Sequence, residues 1–368
     1  MSTGPMRIGV KNEAPGAAAQ DGFLLGADDR ILVTGAAGFI GARVVKALLA
    51  RGFRNIACFT RPSSETAELE ALREGLPPGA RMDMLRGNLL ARTDCEAACE
   101  GAALILHLAA GTGEKSFPDA FMNSVVTTRN LLEASQRRAQ LRRFVLVSSF
   151  AVYTNQQKAG RLDESCPIEE HPETRDAYCF AKVKQEQIVA EYGQRFGIPY
   201  TIVRPGSVYG EGAAGITGRV GLGTFGIFLH LGGANRIPFT YVDNCADAIV
   251  LAGIVAGAEG EAFNVVDDDL PTSRQFLRGY RKSVRRFGSV YVPHAVSRVL
   301  CDLWEAYSRW SHGQLPPVFG RKRWYSEWRK TSYSNQKLKA RLGWRPQVPT
   351  REGLERYFAG CREALRNA

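Results

Sequence analysis

The sequence predicts an α/β fold, a doubly wound parallel sheet with a smaller C-terminal portion joined to it. Three observations carry that expectation. Short, wholly apolar runs alternate with helical patterns from Arg30 to Arg204. The first run breaks into a glycine-rich turn that opens a helix. Beyond Arg204 the alternation gives way to frequent Gly and Pro. Strands written as continuous apolar runs are covered on both faces, the condition of a parallel sheet between helices.

In chain order, Ile31-Leu32-Val33 is the first strand, followed by Thr34-Gly35-Ala36-Ala37-Gly38-Phe39-Ile40-Gly41. Val44, Val45, Leu48 and Leu49 then recur at helical spacing until Gly52. Strands follow at 56–59, 82–85, 103–108 and 144–147, with helical stretches at 67–72 and around Leu131 and Leu132. A helix over 178–192 precedes the strand 200–203. Later helices are expected at 246–256, 273–286 and 295–310. Residues 1–29, rich in Gly and Ala, are expected to be a flexible leader. Residues 30–204 form the doubly wound domain, and 205–368 mainly the smaller portion, with part of 205–270 returning to the sheet. No internal repeat is visible.

Composition excludes several classes. The 368-residue chain is 45% hydrophobic and 23% charged, which suits a globular protein and not a collagen-like or disordered one. Its longest nearly uncharged apolar stretch, 248–258, falls far short of the roughly 20 residues that span a bilayer. No apolar signal-peptide core opens the chain, so the expected location is cytoplasmic. Eight cysteines without Cys-x-x-Cys spacing and five scattered histidines point to reduced thiols and no metal site. The net charge of +11 is uneven: from Tyr280 onward, 19 Lys/Arg face 6 Asp/Glu, and all five tryptophans lie there too.

Gly35-x-x-Gly38-x-x-Gly41, after a strand and before a helix, has the spacing of a dinucleotide-binding turn. Glycines let the backbone approach a pyrophosphate, whose charge the helix N-terminus favours. The second strand ends Thr60-Arg61-Pro62, with no carboxylate to grip a ribose 2′-hydroxyl. Arg61 would pair with a 2′-phosphate, which favours NADP over NAD. Tyr178-x-x-x-Lys182 sets a phenol and an ammonium one helical turn apart on one face. A tyrosine with a nearby cation can exchange a proton with a substrate hydroxyl during hydride transfer. Ser148-Ser149 and Arg204-Pro205-Gly206-Ser207 end two further strands, where sites of α/β proteins form.

With these residues the chain resembles the extended short-chain dehydrogenase/reductases, in their NAD(P)-dependent epimerase/dehydratase group. The matching segments are 34–41, Leu108-Ala-Ala110, Asn123 before Asn130-Leu-Leu-Glu-Ala134, and Ser148-Ser149. They continue with Tyr178-x-x-x-Lys182, Arg204-Pro-Gly-Ser-Val-Tyr-Gly210, Tyr241-Val-Asp-Asn-Cys-Ala-Asp-Ala248 and Leu342-Gly-Trp-Arg-Pro346. The match runs from about Arg30 to Phe358, and implies a Rossmann-type sheet with a C-terminal substrate-binding portion. It implies Tyr178 as acid/base, Lys182 holding the nicotinamide ribose while lowering the tyrosine's pKa, and Ser149, four residues before Tyr153, holding the reacting oxygen. Gly35, Gly38, Phe39, Ile40 and Gly41 would line the pyrophosphate, and Ala109 and Ala110 the cofactor's middle. Pro205, Ser207 and Val208 would lie near the nicotinamide. Where the family often has Gly-Asp-Leu, this chain has Gly87-Asn88-Leu89, with Asn88 and Leu89 expected near adenine. Ile237 fills the arginine slot of nucleotide-sugar members, and Tyr209-Gly-Glu-Gly212 resembles the 3β-hydroxysteroid dehydrogenase-like members.

The resemblance implies an NAD(P)-dependent oxidoreductase acting at a secondary alcohol or ketone. The alternatives are a nucleotide-sugar epimerase or dehydratase with tightly bound cofactor, and a non-catalytic cofactor sensor. The basic, aromatic C-terminal region suggests an anionic or amphipathic small-molecule substrate and argues against nucleic acid, for which no motif is present. Val296, Val299, Leu300, Leu303, Trp304, Tyr307 and Trp310 share one helical face. That face is expected to pack on the substrate pocket; the alternative is peripheral contact with anionic lipid. His107 reads as a core histidine and Cys179 as a packing residue. A homodimer through the cofactor domain is the family's expectation.

Overall fold

A computed structural model describes residues 22–111, 116–136, 140–154, 160–213, 215–224, 226–311 and 320–367. The central domain runs β1 (Arg30–Thr34), α1 (Gly41–Ala50), β2 (Asn55–Thr60), α2 (Ala67–Glu74), β3 (Arg81–Arg86), α3 (Arg92–Ala98) and β4 (Ala102–His107). It continues with α4 (Phe117–Ala120), a π-helical turn Phe121–Val126, α5 (Thr127–Gln136), β5 (Arg143–Val147), β6 (Arg161–Leu162), α6 (Ala177–Phe196) and β7 (Tyr200–Pro205). Then come β8 (Ser207–Tyr209), β9 (Gly221–Thr224), β10 (Ile227–His230), β11 (Phe239–Tyr241), α7 (Val242–Ile254), β12 (Ala262–Val265) and α8 (Ser273–Ser283). The chain ends with β13 (Ser289–Tyr291), α9 (His294–Trp310), α10 (Arg321–Glu327), β14 (Ser332–Tyr333), α11 (Gln336–Leu342) and α12 (Thr350–Asn367).

Seven strands form one sheet in the order β12-β7-β5-β4-β1-β2-β3. Every pairing in it is parallel. Strand side chains alternate between faces, and the core divides accordingly. Ile31 and Val33 pack with Val44, Val45, Leu48 and Ile249 on the side of α1 and α7. Leu32 packs with Cys95, Leu131, Leu132 and Val189 on the side of α3, α5 and α6. Strand order reverses between β1 and β4, and the crevice above their C-terminal ends is where ligands of such sheets sit. Residues of α7 and β12 return to this sheet. The rest of the C-terminal portion builds a three-stranded sheet, β13-β10-β9, and the pairs β11-β8 and β14-β6.

Two expectations change. Residues 1–21 of the expected flexible leader lie outside the described residues, but its end is attached: Leu25 is buried, Leu24 N donates to Ile254 O, and Phe23 bridges Val255. The helix expected over 273–286 stops at Ser283, although Thr272 and Gln275 start it with a reciprocal capping box. Val284 and Phe287 pack against a separate cluster that includes Phe239, Phe276, Tyr280 and Phe358, drawing the chain off the helix axis.

Candidate active site

The turn after β1 is built from close backbone approaches. Gly35 has φ +69°, and a Cβ there would stand 2.9 Å from Ala109 N at the end of β4. A Cβ on Gly41 would stand 2.1 Å from Gly35 O, inside any permitted contact. Gly38 N closes the turn on Gly35 O at 3.0 Å. Ile40 at the α1 N-cap supplies no side-chain hydrogen bond, so the opening amides have no such cap. The cradle therefore suits a pyrophosphate at a helix N-terminus. Gly41→Ala should lower the melting temperature by displacing this backbone, at a cost of about 1–3 kcal/mol, and should weaken cofactor binding with it. Thermal unfolding with and without dinucleotide checks both.

Around the cradle, Arg61 is exposed just beyond β2, and Ala109 and Ala110 are partly exposed beyond β4. Thr34 Oγ1 accepts from Ala109 N at 3.3 Å and bonds His107 Nδ1 at 2.7 Å. His107 is a core residue: its other nitrogen meets Thr128 Oγ1, and burial pushes its pKa down to about 3. Asn88 is exposed after β3, its Oδ1 accepting from Leu90 N. Leu89 has its side chain buried in the core, and its carbonyl accepts the Asn130 amide. Pro205 is buried, whereas Ser207 and Val208 are partly exposed where the chain leaves β7.

Tyr178 stands in the first turn of α6, fixed by Asp176, whose carboxylate accepts from Cys179 N at 2.9 Å. Cys179 itself is buried. Beyond β5, Ser149 lines the same cavity as Tyr178, and its hydroxyl acts on the phenol to lower its pKa. Ser148 turns away and donates to Glu186 Oε1, which explains physically why only the second serine meets the tyrosine. The structure thus brings Ser149, Tyr178 and Lys182 together.

Lys182 Nζ donates to Val147 O at 2.8 Å and lies 6.0 Å from the Tyr178 ring centroid. The expected depression of the phenol's pKa by this ammonium is not met. Tyr178 is 37% exposed on the cavity wall, yet desolvation by the surrounding protein raises its pKa above the ordinary value, opposed by the Ser149 hydrogen bond. Burial lowers Lys182 from 10.5 to about 8, against the pull of Glu186. Between those values the unfolded chain holds a proton that the folded chain releases. Stability therefore rises with pH from about 8 to 10.5, by at most about 1.4 kcal/mol per unit, and the penalty is fully present below 8. Lys182→Met should remove that slope and melt no lower than the wild type at pH 7, as denaturant titrations at pH 7 and 10 would show.

A buried neighbour of Lys182 carries no sequence motif of its own. Glu186 continues the 178/182 stripe by another turn and is clamped by Arg204, with Nε–Oε1 at 2.9 Å and Nη2–Oε2 at 2.6 Å. Arg204 Nη1 also donates to Tyr153 OH at 3.0 Å, and that hydroxyl donates to Asn264 Oδ1 at 2.6 Å. The i, i+4, i+8 spacing of 178, 182 and 186 was the available signal.

From Ser149, Tyr178 and Ser207 a cavity of about 990 Å³ extends to α9 and α10. Arg161, Arg175, Arg219, Arg309, Arg321, Arg323 and Arg329 line it, against Asp176, Glu305 and Glu327. The α9 residues on its wall are Glu305, Ser308 and Arg309. The apolar face expected there points to solvent instead, with Leu303 61% and Trp310 73% exposed. Among the described residues no group of three His, Cys, Asp or Glu is placed to hold a metal.

Residues 31–265 match the model of the NAD dependent epimerase/dehydratase family. The chain is 26% identical over 363 residues to a 3β-hydroxysteroid-dehydrogenase/decarboxylase of Arabidopsis thaliana, covering 88% of this chain and 78% of that one. It is 34% identical over 191 residues to a 3β-hydroxysteroid dehydrogenase/Δ5→4-isomerase of Mycobacterium tuberculosis, covering 50% of this chain and 48%, about half, of that relative. A UDP-glucuronic acid 4-epimerase of Bacillus cereus, solved with UDP-glucuronic acid and NAD, shares the fold with a TM-score of 0.68 at 22% identity, over 91% of this chain and 99% of that one. A Rossmann-type sheet with a glycine cradle at its switch point, and a family match across both, leave one assignment: the chain belongs to the NAD-dependent epimerase/dehydratase family and is an enzyme of that family.

Proposed function

We propose that the enzyme is an NAD(P)-dependent oxidoreductase that interconverts a secondary alcohol and a ketone. The observation that carries this reading is that Ser149 and Tyr178 line one cavity together. When bound, the nicotinamide supplies the hydride chemistry. The chain's own part is the proton. A phenol held above its ordinary pKa is protonated at neutral pH, so Tyr178 Oη can give its proton to a carbonyl oxygen. Ser149 Oγ holds the same oxygen and steadies the charge it gains. Lys182, one turn along α6, would hold the cofactor's ribose. Gly35, Gly38 and Gly41 take the pyrophosphate, with Phe39 and Ile40 beside them.

Arg61 favours NADP as the dinucleotide. Arg61→Ala should weaken NADP binding about tenfold and leave NAD binding unchanged, as fluorescence titration would show. An unchanged NADP constant would remove the argument for that preference. The guanidinium-rich cavity suits an anionic or amphipathic ketone. Two relatives named for hydroxysteroid oxidation support a carbocyclic or similarly apolar alcohol over a sugar nucleotide.

The second reading, a nucleotide-sugar epimerase or dehydratase, is favoured by the Bacillus cereus structural neighbour. A thermal-shift screen with NAD, NADP, UDP-sugars and hydroxysteroids separates the two, because each ligand raises the melting temperature of the state it binds. Stabilisation by hydroxysteroid with NADP supports the oxidoreductase. Stabilisation by UDP-sugars alone overturns it.

A further inference from the structure

Outside the cleft, the surface of α9 is used by none of this chemistry. Ser297, Cys301 and Ser308 form its buried side. Cys301 packs with Trp324 and Trp328, and Trp324 Nε1 donates to Ser297 Oγ at 2.9 Å. With that side fixed, Val296, Val299, Leu300, Leu303, Tyr307 and Trp310 stand in solvent, each close to half exposed or more. At 100° per residue they fall on one arc of about 100°, a continuous apolar stripe. Val290 and Tyr291 of β13, the strand just before α9 in the chain, are also exposed. A patch of this kind marks an interaction surface.

A second feature adjoins the first. Against α8 lies a separate cavity of about 530 Å³, lined by Arg274, Arg278, Arg281, Lys282 and Arg286 with His230, Leu277 and Ser289, and by no carboxylate. Arg274 sits 5.3 Å over the ring of exposed Tyr291, and Arg281 Nη1 reaches Ser289 Oγ at 3.2 Å. The cationic cavity is thus tied to the strand that leads into the apolar stripe. On α9 itself Arg298 and Arg309 are balanced by Asp302 and Glu305, so the charge of this face comes from α8.

We propose that this face docks on an anionic phospholipid bilayer, with the α9 stripe lying in the headgroup plane and the α8 cavity receiving lipid phosphate. An apolar helical stripe beside a concentration of Arg and Lys is complementary to such a surface. A 17-residue helix is about 25 Å long and lies along the bilayer rather than through it. No described helix is long and apolar enough to cross a membrane. A second copy of the chain is the poorer occupant, since joining two stripes symmetrically would bring two cationic cavities toward each other. Because Glu305, Ser308 and Arg309 of the same helix line the large cavity, docking sets that cavity beside the lipid surface. The inference does not depend on the redox reading of the cleft.

Co-sedimentation of the full chain tests it, using vesicles of phosphatidylcholine alone and vesicles with added phosphatidylglycerol. The expected result is binding to the mixed vesicles at least about tenfold stronger than to the neutral ones, reversed by salt. Leu300→Ser with Leu303→Ser should lower that binding about tenfold or more, because an exposed apolar anchor is lost. Arg278→Glu with Lys282→Glu should do the same while keeping the stripe. Both double variants alter exposed side chains, and an unchanged melting temperature would show that they fold. No binding to the mixed vesicles overturns the proposal, as does binding that the serine variant leaves intact. Binding indifferent to phosphatidylglycerol or to the charge reversal overturns the headgroup cavity. A dimer seen by light scattering, dispersed by the serine variant and inert to vesicles, assigns the stripe to a second copy.

Discussion

Tyr178→Phe is expected to lower kcat by about 10²–10⁴-fold while leaving dinucleotide affinity and melting temperature close to those of the wild type. The size follows from what the substitution removes. It deletes one hydroxyl on the wall of an open cavity and leaves the ring, the Asp176 cap and Lys182 in place. The proton that the phenol would give to a forming alkoxide must then come from water. Ser149 still holds the oxygen, which sets a floor to the loss. Steady-state kinetics with cofactor titration in parallel checks it. A variant that keeps wild-type turnover would remove Tyr178 from the proton's path.

The second large effect is on stability. Arg204→Met should destabilise the protein by about 3–5 kcal/mol, read as a fall in the urea midpoint. Arg204 and Glu186 are each only 8% exposed at the side chain and meet through two hydrogen bonds. Removing the guanidinium strands a buried carboxylate and takes a donor from the Tyr153 hydroxyl. Adding Glu186→Leu should recover part of the loss, because no charge is then left unpaired. A fall smaller than about 1 kcal/mol in the single variant would show that water reaches the carboxylate. Glu186 also supports the charge of Lys182, so this pair links the sheet's interior to the reacting end of the cleft.

The legible parts of the molecule were those whose signals are local. Ile31-Leu32-Val33 has no polar side to present, and Gly35 and Gly41 stand where a Cβ collides with backbone. The strand, cradle and helix could therefore be read in sequence. Ser149 was selected over Ser148 by resemblance alone, whereas its physical reason is a bond from Ser148 to Glu186, 38 residues away. Contacts of that range leave no periodicity. Arg143 is a similar case: a fully buried strand residue whose guanidinium bonds Ala252 O and Val255 O at the end of α7. The short strands β8 to β11 were missed because three or four residues are too few to show alternation.

The orientation of α9 was misjudged for a different reason. Its larger apolar residues marked a face correctly, but hydrophobicity does not say which face is inward. Ser297, Cys301 and Ser308 are small enough to let Trp324 and Trp328 approach, and that packing turns the larger side chains out. The tryptophans consequently divide: Trp328 and Trp344 are fully buried and structural, while Trp310 is mostly exposed. Of the basic residues from Tyr280 onward, Arg309, Arg321, Arg323 and Arg329 line the large cavity and Arg281, Lys282 and Arg286 the separate α8 cavity, while the others lie elsewhere.

The Ser149–Tyr178 pair is proposed to serve net oxidation or reduction of substrate. The most direct measurement is the nicotinamide absorbance of the wild-type enzyme turning over a hydroxysteroid or another apolar secondary alcohol with NADP. One reduced cofactor is expected for each ketone produced. Turnover of a UDP-sugar to its epimer, with no net change in nicotinamide absorbance and no reaction of the alcohols, would contradict it.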